Sequence, residues 1–209
     1  MGSVAAAQLL SPAPLTLEAW ADLDEDEPGE LVDGWLVEEE VPTHPHEAVV
    51  AWLMWVLGGW ARPQGALVFA SEHKIGVAPA RGRKPDVCLY PPGTRLGRGA
   101  LSRTAPRLVV EVLSPRPRDV RRDRHEKMGD YALFGVRSYW LIDPQAKLLE
   151  MFELGPEGRY TAALSATEGQ VSAPGFQNLV LDLDQLWADV DRVIGAEEEG
   201  DAPAESGEG

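Results

Sequence analysis

Apolar positions along the chain recur with two different periods, and the switches between them mark the elements. From His46 to about Ala61 apolar residues surround the whole helical wheel, Val49, Val50, Leu53, Met54, Val56, Leu57 and Trp60 among them. That predicts a largely buried helix, ended by Gly58-Gly59 and Pro63. Three extended stretches follow, "ALVFASEHKIGV", "KPDVCLY" and "RLVVEVL". The last is apolar on both faces, as a central strand covered on both sides must be. "RDVRRDRHEKMGDYALFG" then reads as a second helix, with Asp119 as candidate cap and Gly135 as its stop, and "RSYWLID" returns as a strand. Upstream, Thr16 is placed to cap a short helix in "LEAWADL", and "GELVDGWLVEEE" reads as a hairpin turning at Asp33-Gly34. Downstream, "LLEMFEL" and "GRYTAAL" predict a closing hairpin around Gly155-Pro156, and "LDLDQLWADV" a short terminal helix. The order predicts an α/β fold, a mixed central β-sheet flanked by helices with an N-terminal β-hairpin. One domain, residues 15–194, is expected between a flexible segment, 1–14, and an acidic, disordered tail, 195–209.

Two carboxylates break this apolar pattern. Glu111 falls inside "RLVVEVL" and Asp86 at the head of "DVCLY". Side chains two apart on a strand share a face, so Glu111 lies with Val109 and Leu113, and Asp86 with Cys88 and Tyr90. If the strands pair, two carboxylates share one dry face, and both stay ionised only beside a cation. Mg²⁺, or Mn²⁺ in its place, suits such a pair, because a hard ion is held by one or two carboxylates with waters and phosphate oxygens. Each acid could instead pair with an arginine or cap a turn. The second helix adds a third residue. Val120, Arg124, Lys127, Tyr131 and Phe134 form one stripe, which turns Lys127 toward the sheet and toward both acids, unless it snorkels to the helix edge.

Composition bounds the rest. With 209 residues, 44% hydrophobic, and seven Trp, the chain can build one sizeable core. The run from Ala48 to Trp60 is too short to span a bilayer, and "MGSVAAAQLL" has no basic residues ahead of its apolar part, so no membrane association and a cytoplasmic location are expected. Cys88, the only cysteine, has no partner for a disulfide or a zinc site. A net charge of −15 argues against a polyanionic substrate until its distribution is considered. No Lys or Arg precedes Arg62, and the last residues are acidic, but from Arg62 to Arg159 there are 14 Arg and 4 Lys against 11 Asp and Glu. The middle of the chain is basic, and Arg116, Arg118, Arg121 and Arg122 cluster within "RPRDVRRDR", unless they are simply solvated faces.

"GELVDGWLVE", "KPDVCLY", "APRLVVEVLSP" and "RHEKMGDYALFGVRSYWLIDP" together resemble the Uma-type restriction endonucleases, within the PD-(D/E)XK nuclease superfamily. The resemblance runs from about Leu15 to Leu186 and implies a restriction-endonuclease-like core and Mg²⁺-dependent cleavage of DNA. By that resemblance Asp86 and Glu111 bind the metal, with the backbone carbonyl of Val112 as a further ligand. The lysine that the superfamily places two residues after the Glu is Leu113 here, and Lys127 matches the helix lysine that replaces it in the Uma-type group. Glu30 fits as an accessory acid, or is a surface hairpin carboxylate; His46 fits as a contact to a phosphate or the site acids, or merely caps or packs. Family habit also implies a homodimer. The alternative is an inactive nuclease-fold module for binding or assembly; a glycosidase-like carboxylate pair ranks last, since it leaves Lys127 without a role.

Overall fold

The computed structural model describes residues 13–23, 29–37, 41–116 and 120–195. The predicted loose segment 1–14 and acidic tail 195–209 fall almost wholly outside these residues, as do Asp119 and Arg118.

Helix α1 (Leu17–Ala21) starts where Thr16 accepts a hydrogen bond from the Ala19 N–H. The hairpin is strands β1 (Glu30–Val32) and β2 (Trp35–Val37), and both turn residues, Asp33 and Gly34, have positive φ, as the tight turn requires. Helix α2 (His44–Ala61) begins two residues earlier than predicted, because Thr43 accepts from the His46 N–H. It also runs through Gly58-Gly59 and yields to a 3₁₀ turn (Arg62–Gln64) containing Pro63. Its burial is one-sided rather than complete: Val49, Leu53 and Leu57 are buried, while Trp55 is 83% exposed.

The stretch 66–77 is not one strand. It splits into β3 (Leu67–Ala70) and β4 (Lys74–Ala78), which join different sheets. After β5 (Arg81–Arg83), β6 (Val87–Tyr90), β7 (Leu101–Ser102) and β8 (Leu108–Val112) comes a π-helical segment, Arg122–Lys127, continued by α3 (Met128–Phe134). Gly135, at φ 92°, stops α3 as predicted. The remaining strands are β9 (Ser138–Asp143), β10 (Leu148–Leu154), β11 (Tyr160–Ala166), β12 (Gln170–Ser172) and β13 (Val180–Asp182), and α4 (Leu183–Ile194) closes the described chain.

The main sheet has the order β11-β10-β9-β8-β6-β3. It is mixed, since β8 pairs antiparallel with β6 and parallel with β9. All of β8 is buried, with Leu108, Val110 and Val112 packed in the core that α2 and α4 cover, and Val109 in the core beneath Tyr131, Val136 and Tyr139. A second sheet, β2-β1-β5-β4-β7, carries the hairpin. Gly82 of β5 lies under the Trp20 ring, where a Cβ would sit 2.2 Å from a ring carbon, and Trp20 Nε1 donates to Gly29 O over 3.0 Å. Helix α1 thus holds the base of the hairpin, where Glu30 is, against β5. Among the described residues no helix is long and apolar enough to cross a membrane.

Candidate active site

The pairing of β6 with β8 brings the two predicted acids together. Val87 sits opposite Val110, so Asp86, one residue before β6, comes alongside Glu111. Asp86 Oδ2 accepts from the Val112 N–H at 2.7 Å and lies 3.2 Å from His46 Nε2. The Asp86 side chain therefore closes on the end of β8 by accepting from its backbone, and the first turn of α2 supplies the imidazole. Asp86 keeps some contact with solvent, its side chain being 16% exposed.

Glu111 is 1% exposed and has both oxygens occupied. Lys127 Nζ donates to Oε2 over 2.8 Å and the Tyr131 hydroxyl to Oε1 over 2.6 Å. Burial pushes the Glu111 carboxyl well above the usual carboxylate range; the Lys127 charge opposes this, while Asp86, Asp123 and Glu30 reinforce it. For Lys127 burial works the other way, favouring the neutral amine, but Glu111, Glu30, Asp123 and Asp86 outweigh it and hold the ammonium protonated well above its ordinary range.

Lys127 also lies 3.4 Å from Asp123 Oδ1 and 3.6 Å from Glu30 Oε1. Its hydrogen bond goes to Glu111, and Asp86 acts on the ammonium only through space. The π-helical turn takes part in this arrangement. Tyr139 donates its hydroxyl to the backbone carbonyl of Asp123 over 2.9 Å, pinning the turn that carries both Asp123 and Lys127. π-helical turns of this kind recur at functional sites.

Glu30 is buried at the site, not on the hairpin surface. Its Oε2 accepts from Arg83 Nη1 at 2.6 Å and its Oε1 from the Lys84 N–H at 3.0 Å. Burial would raise its pKa, but Lys127 and Arg83 prevail and hold it below the ordinary carboxylate value. His46 does reach a site acid, and although burial favours its neutral form, Asp86 raises its pKa overall. Arg116 and Arg121 are exposed, and Arg122 lies half-buried, near enough to Asp123 to favour its ionised form. Tyr131, Asp123, Arg83 and Asp130 were not predicted as site residues. Tyr131 and Asp123 lie four residues either side of Lys127, a spacing that could have marked them; Arg83 and Asp130 left no such trace.

Four carboxylates, Glu30, Asp86, Glu111 and Asp123, face Lys127 and Arg83, and Asp123 Oδ1 is buried with no hydrogen-bond partner among the described residues. Burial is the main reason the Glu111 pKa is raised, and the neighbouring Asp86, Asp123 and Glu30 add to it. Among the described residues no group of three or more His, Cys, Asp or Glu side chains is arranged to hold a metal by itself.

Residues 15–184 match the family described as Uma2, putative restriction endonuclease. The chain belongs to that family. As a Uma2 protein it is, by the family's description, a putative nuclease. Five chains of solved structure match it, among them a crystal structure of a putative nuclease belonging to DUF820 from Anabaena variabilis ATCC 29413. The two share 21% identity over 85% of this chain and 99% of that one, with a TM-score of 0.66, which shows a common fold. No curated protein matches the chain.

Proposed function

We propose that this Uma2 protein is a Mg²⁺-dependent DNA endonuclease, with Mn²⁺ able to replace Mg²⁺. The observation that carries this reading is the Lys127 ammonium, buried and 2.8 Å from Glu111 Oε2, with Asp86 alongside on the neighbouring strand. Asp86 and Glu111 would hold the ion, and the Val112 carbonyl at the end of β8 is the further ligand the family resemblance implies. When bound, the ion lowers the pKa of a water molecule and stabilises charge on the phosphoryl group. Lys127 has three N–H donors and a charge that burial has not removed, so it can orient the attacking water and steady a developing oxyanion. Tyr131 fixes the Glu111 carboxylate in place. The basic stretch around Arg116, Arg118, Arg121 and Arg122, which follows β8 in the chain and ends at the first residue of the π-helical segment, suits the DNA backbone. One such site per chain cuts one strand, so cutting a duplex calls for two copies, and a homodimer supplies them.

One observation favours the second reading, an inactive binding or assembly module: both Glu111 oxygens already have protein partners. Supercoiled and single-stranded DNA incubated with Mg²⁺ or Mn²⁺ separates the two. Cleavage by the wild type that disappears in Glu111→Ala supports the nuclease; a wild type inert on every substrate and with either metal supports the module.

A further inference from the structure

Arg83 is 0% exposed, yet it has no place in the chemistry described so far. Its position follows from the sheet. Leu31 of β1 pairs with Gly82 of β5, so in this antiparallel ladder Glu30 falls opposite Arg83. The guanidinium spans two acids. Nη1 donates to Glu30 Oε2 at 2.6 Å, while Nε and Nη2 both donate to Asp130 Oδ2, at 2.8 and 2.5 Å. Asp130 lies three residues beyond Lys127, and its other oxygen accepts from Arg81 Nη1 at 2.6 Å. The Arg83–Asp130 pair therefore ties the helix carrying Lys127 to the sheet carrying Glu30.

Lys127 has a choice of partners. Three carboxylates lie within 4 Å of its nitrogen, and only the Glu111 contact, at 2.8 Å, is short. Glu30 is the rival that stays ionised and is as buried as Glu111, whereas Asp123, although nearer at 3.4 Å, has its carboxyl pushed toward the neutral form by burial. An unpaired carboxylate in that position would draw the nearest ammonium to itself, because a buried charge left alone is costly. Glu30 is not left alone: Arg83 takes one oxygen and the Lys84 N–H the other, and its contact with Lys127 is a long 3.6 Å.

We propose that Arg83, clamped between Glu30 and Asp130, is a positioning residue that keeps the Lys127 ammonium on Glu111 by saturating the rival carboxylate of Glu30. Glu30 then serves as the counter-charge of Arg83 and not as a metal ligand. This inference rests on the nuclease reading above, and its test separates the failure of one from the failure of the other.

With Arg83→Met, Lys127 should shift toward Glu30 and turnover should fall roughly 10- to 100-fold, as for a catalytic group displaced by about an ångström, with KM for DNA unchanged. Arg83→Lys, which keeps a charge against Glu30, should recover most of that loss. The decisive variant is Arg83→Met/Glu30→Gln, which removes the rival together with its guard and should restore turnover to that of Glu30→Gln alone. Wild-type turnover in Arg83→Met overturns the inference and leaves the nuclease standing; so does an equal loss in the single and double variants, which would make Arg83 merely structural. Should Arg83→Met not fold, Glu30→Gln and the double variant are compared directly: equal turnover supports the inference and a further tenfold loss overturns it. A second readout needs no activity. The ¹⁵N signal of the Lys127 ammonium in metal-free protein, assigned by its absence in Lys127→Met, should move in Arg83→Met and return in the double variant. An unmoved signal overturns the inference. If the wild type cuts nothing, the nuclease reading fails, and this signal alone decides whether Arg83 positions Lys127.

Discussion

The Tyr131 hydroxyl and Glu111 Oε1 are 2.6 Å apart, and the tyrosine lies one helical turn beyond Lys127, which holds the other oxygen of the same carboxylate. A helix that turns two polar tips onto one acid fixes that acid in orientation as well as in charge. Carboxylates that bind metal are commonly held this way, and loss of the outer partner typically costs 10- to 100-fold in affinity or activity. Tyr131→Phe should therefore fold, since the ring is retained, and bind Mn²⁺ about tenfold more weakly in a calorimetric titration. Unchanged affinity would make the hydroxyl a packing detail.

Asp86→Asn keeps an acceptor for the Val112 N–H, so the join between Pro85-Asp86 and β8 should survive. The charge that would hold the ion is lost. Cleavage should vanish and metal affinity should drop, with a circular dichroism spectrum like that of the wild type. A variant that still cuts DNA would take Asp86 out of the site.

Lys127→Met keeps the stem packed and removes the charge. Breaking a buried pair typically costs about 3–5 kcal/mol, because the remaining charge is stranded. Glu111 can escape part of that cost by taking a proton, as its raised pKa already favours. The variant should therefore fold with reduced stability, lose turnover by orders of magnitude, and bind Mn²⁺ no more weakly than the wild type, because a competing cation has gone. Turnover near the wild-type value, measured on the same plasmid, would end the role given to this lysine.

Stability should also depend on pH in a way the metal reverses. Glu111 has a folded pKa well above its ordinary 4.5, so its contribution is fully present below that value and is lost as pH rises through the folded pKa. Glu30 has the opposite sign: its pKa is lowered, and its contribution is present above 4.5 and lost as pH falls through the folded value. An ion on Asp86 and Glu111 would take over the role of the proton. Mg²⁺ should raise Tm more at about pH 8 than at about pH 5, and Glu111→Gln should abolish that difference. An equal rise at both values in the wild type would place the ion elsewhere.

Much of this protein follows from local pattern. A strand repeats every two residues and a helix every 3.6, so the face a side chain occupies can be read without knowing what lies opposite. That is why Glu111 was legible as a buried acid sharing a face with Asp86, Lys127 as an inward-facing lysine, and the Asp33-Gly34 turn and the Gly135 stop as boundaries. Which acid Lys127 would choose was not legible. Its partner Glu111 is 16 residues away, and the competition from Glu30 is settled by Arg83, 53 residues from Glu30, through a contact made only when the hairpin docks against β5. The break in residues 66–77 between β3 and β4 has the same origin: each half is a plausible strand, and the sheet it joins depends on partners distant in the chain. The π-helical turn is a third case, since it carries Asp123, whose backbone carbonyl accepts from Tyr139 on β9, two elements further along. Periodicity therefore determined which side chains point inward. Tertiary docking decided which of them meet, because the energy of a buried charge depends on every other charge within a few ångströms and not on its neighbours in sequence.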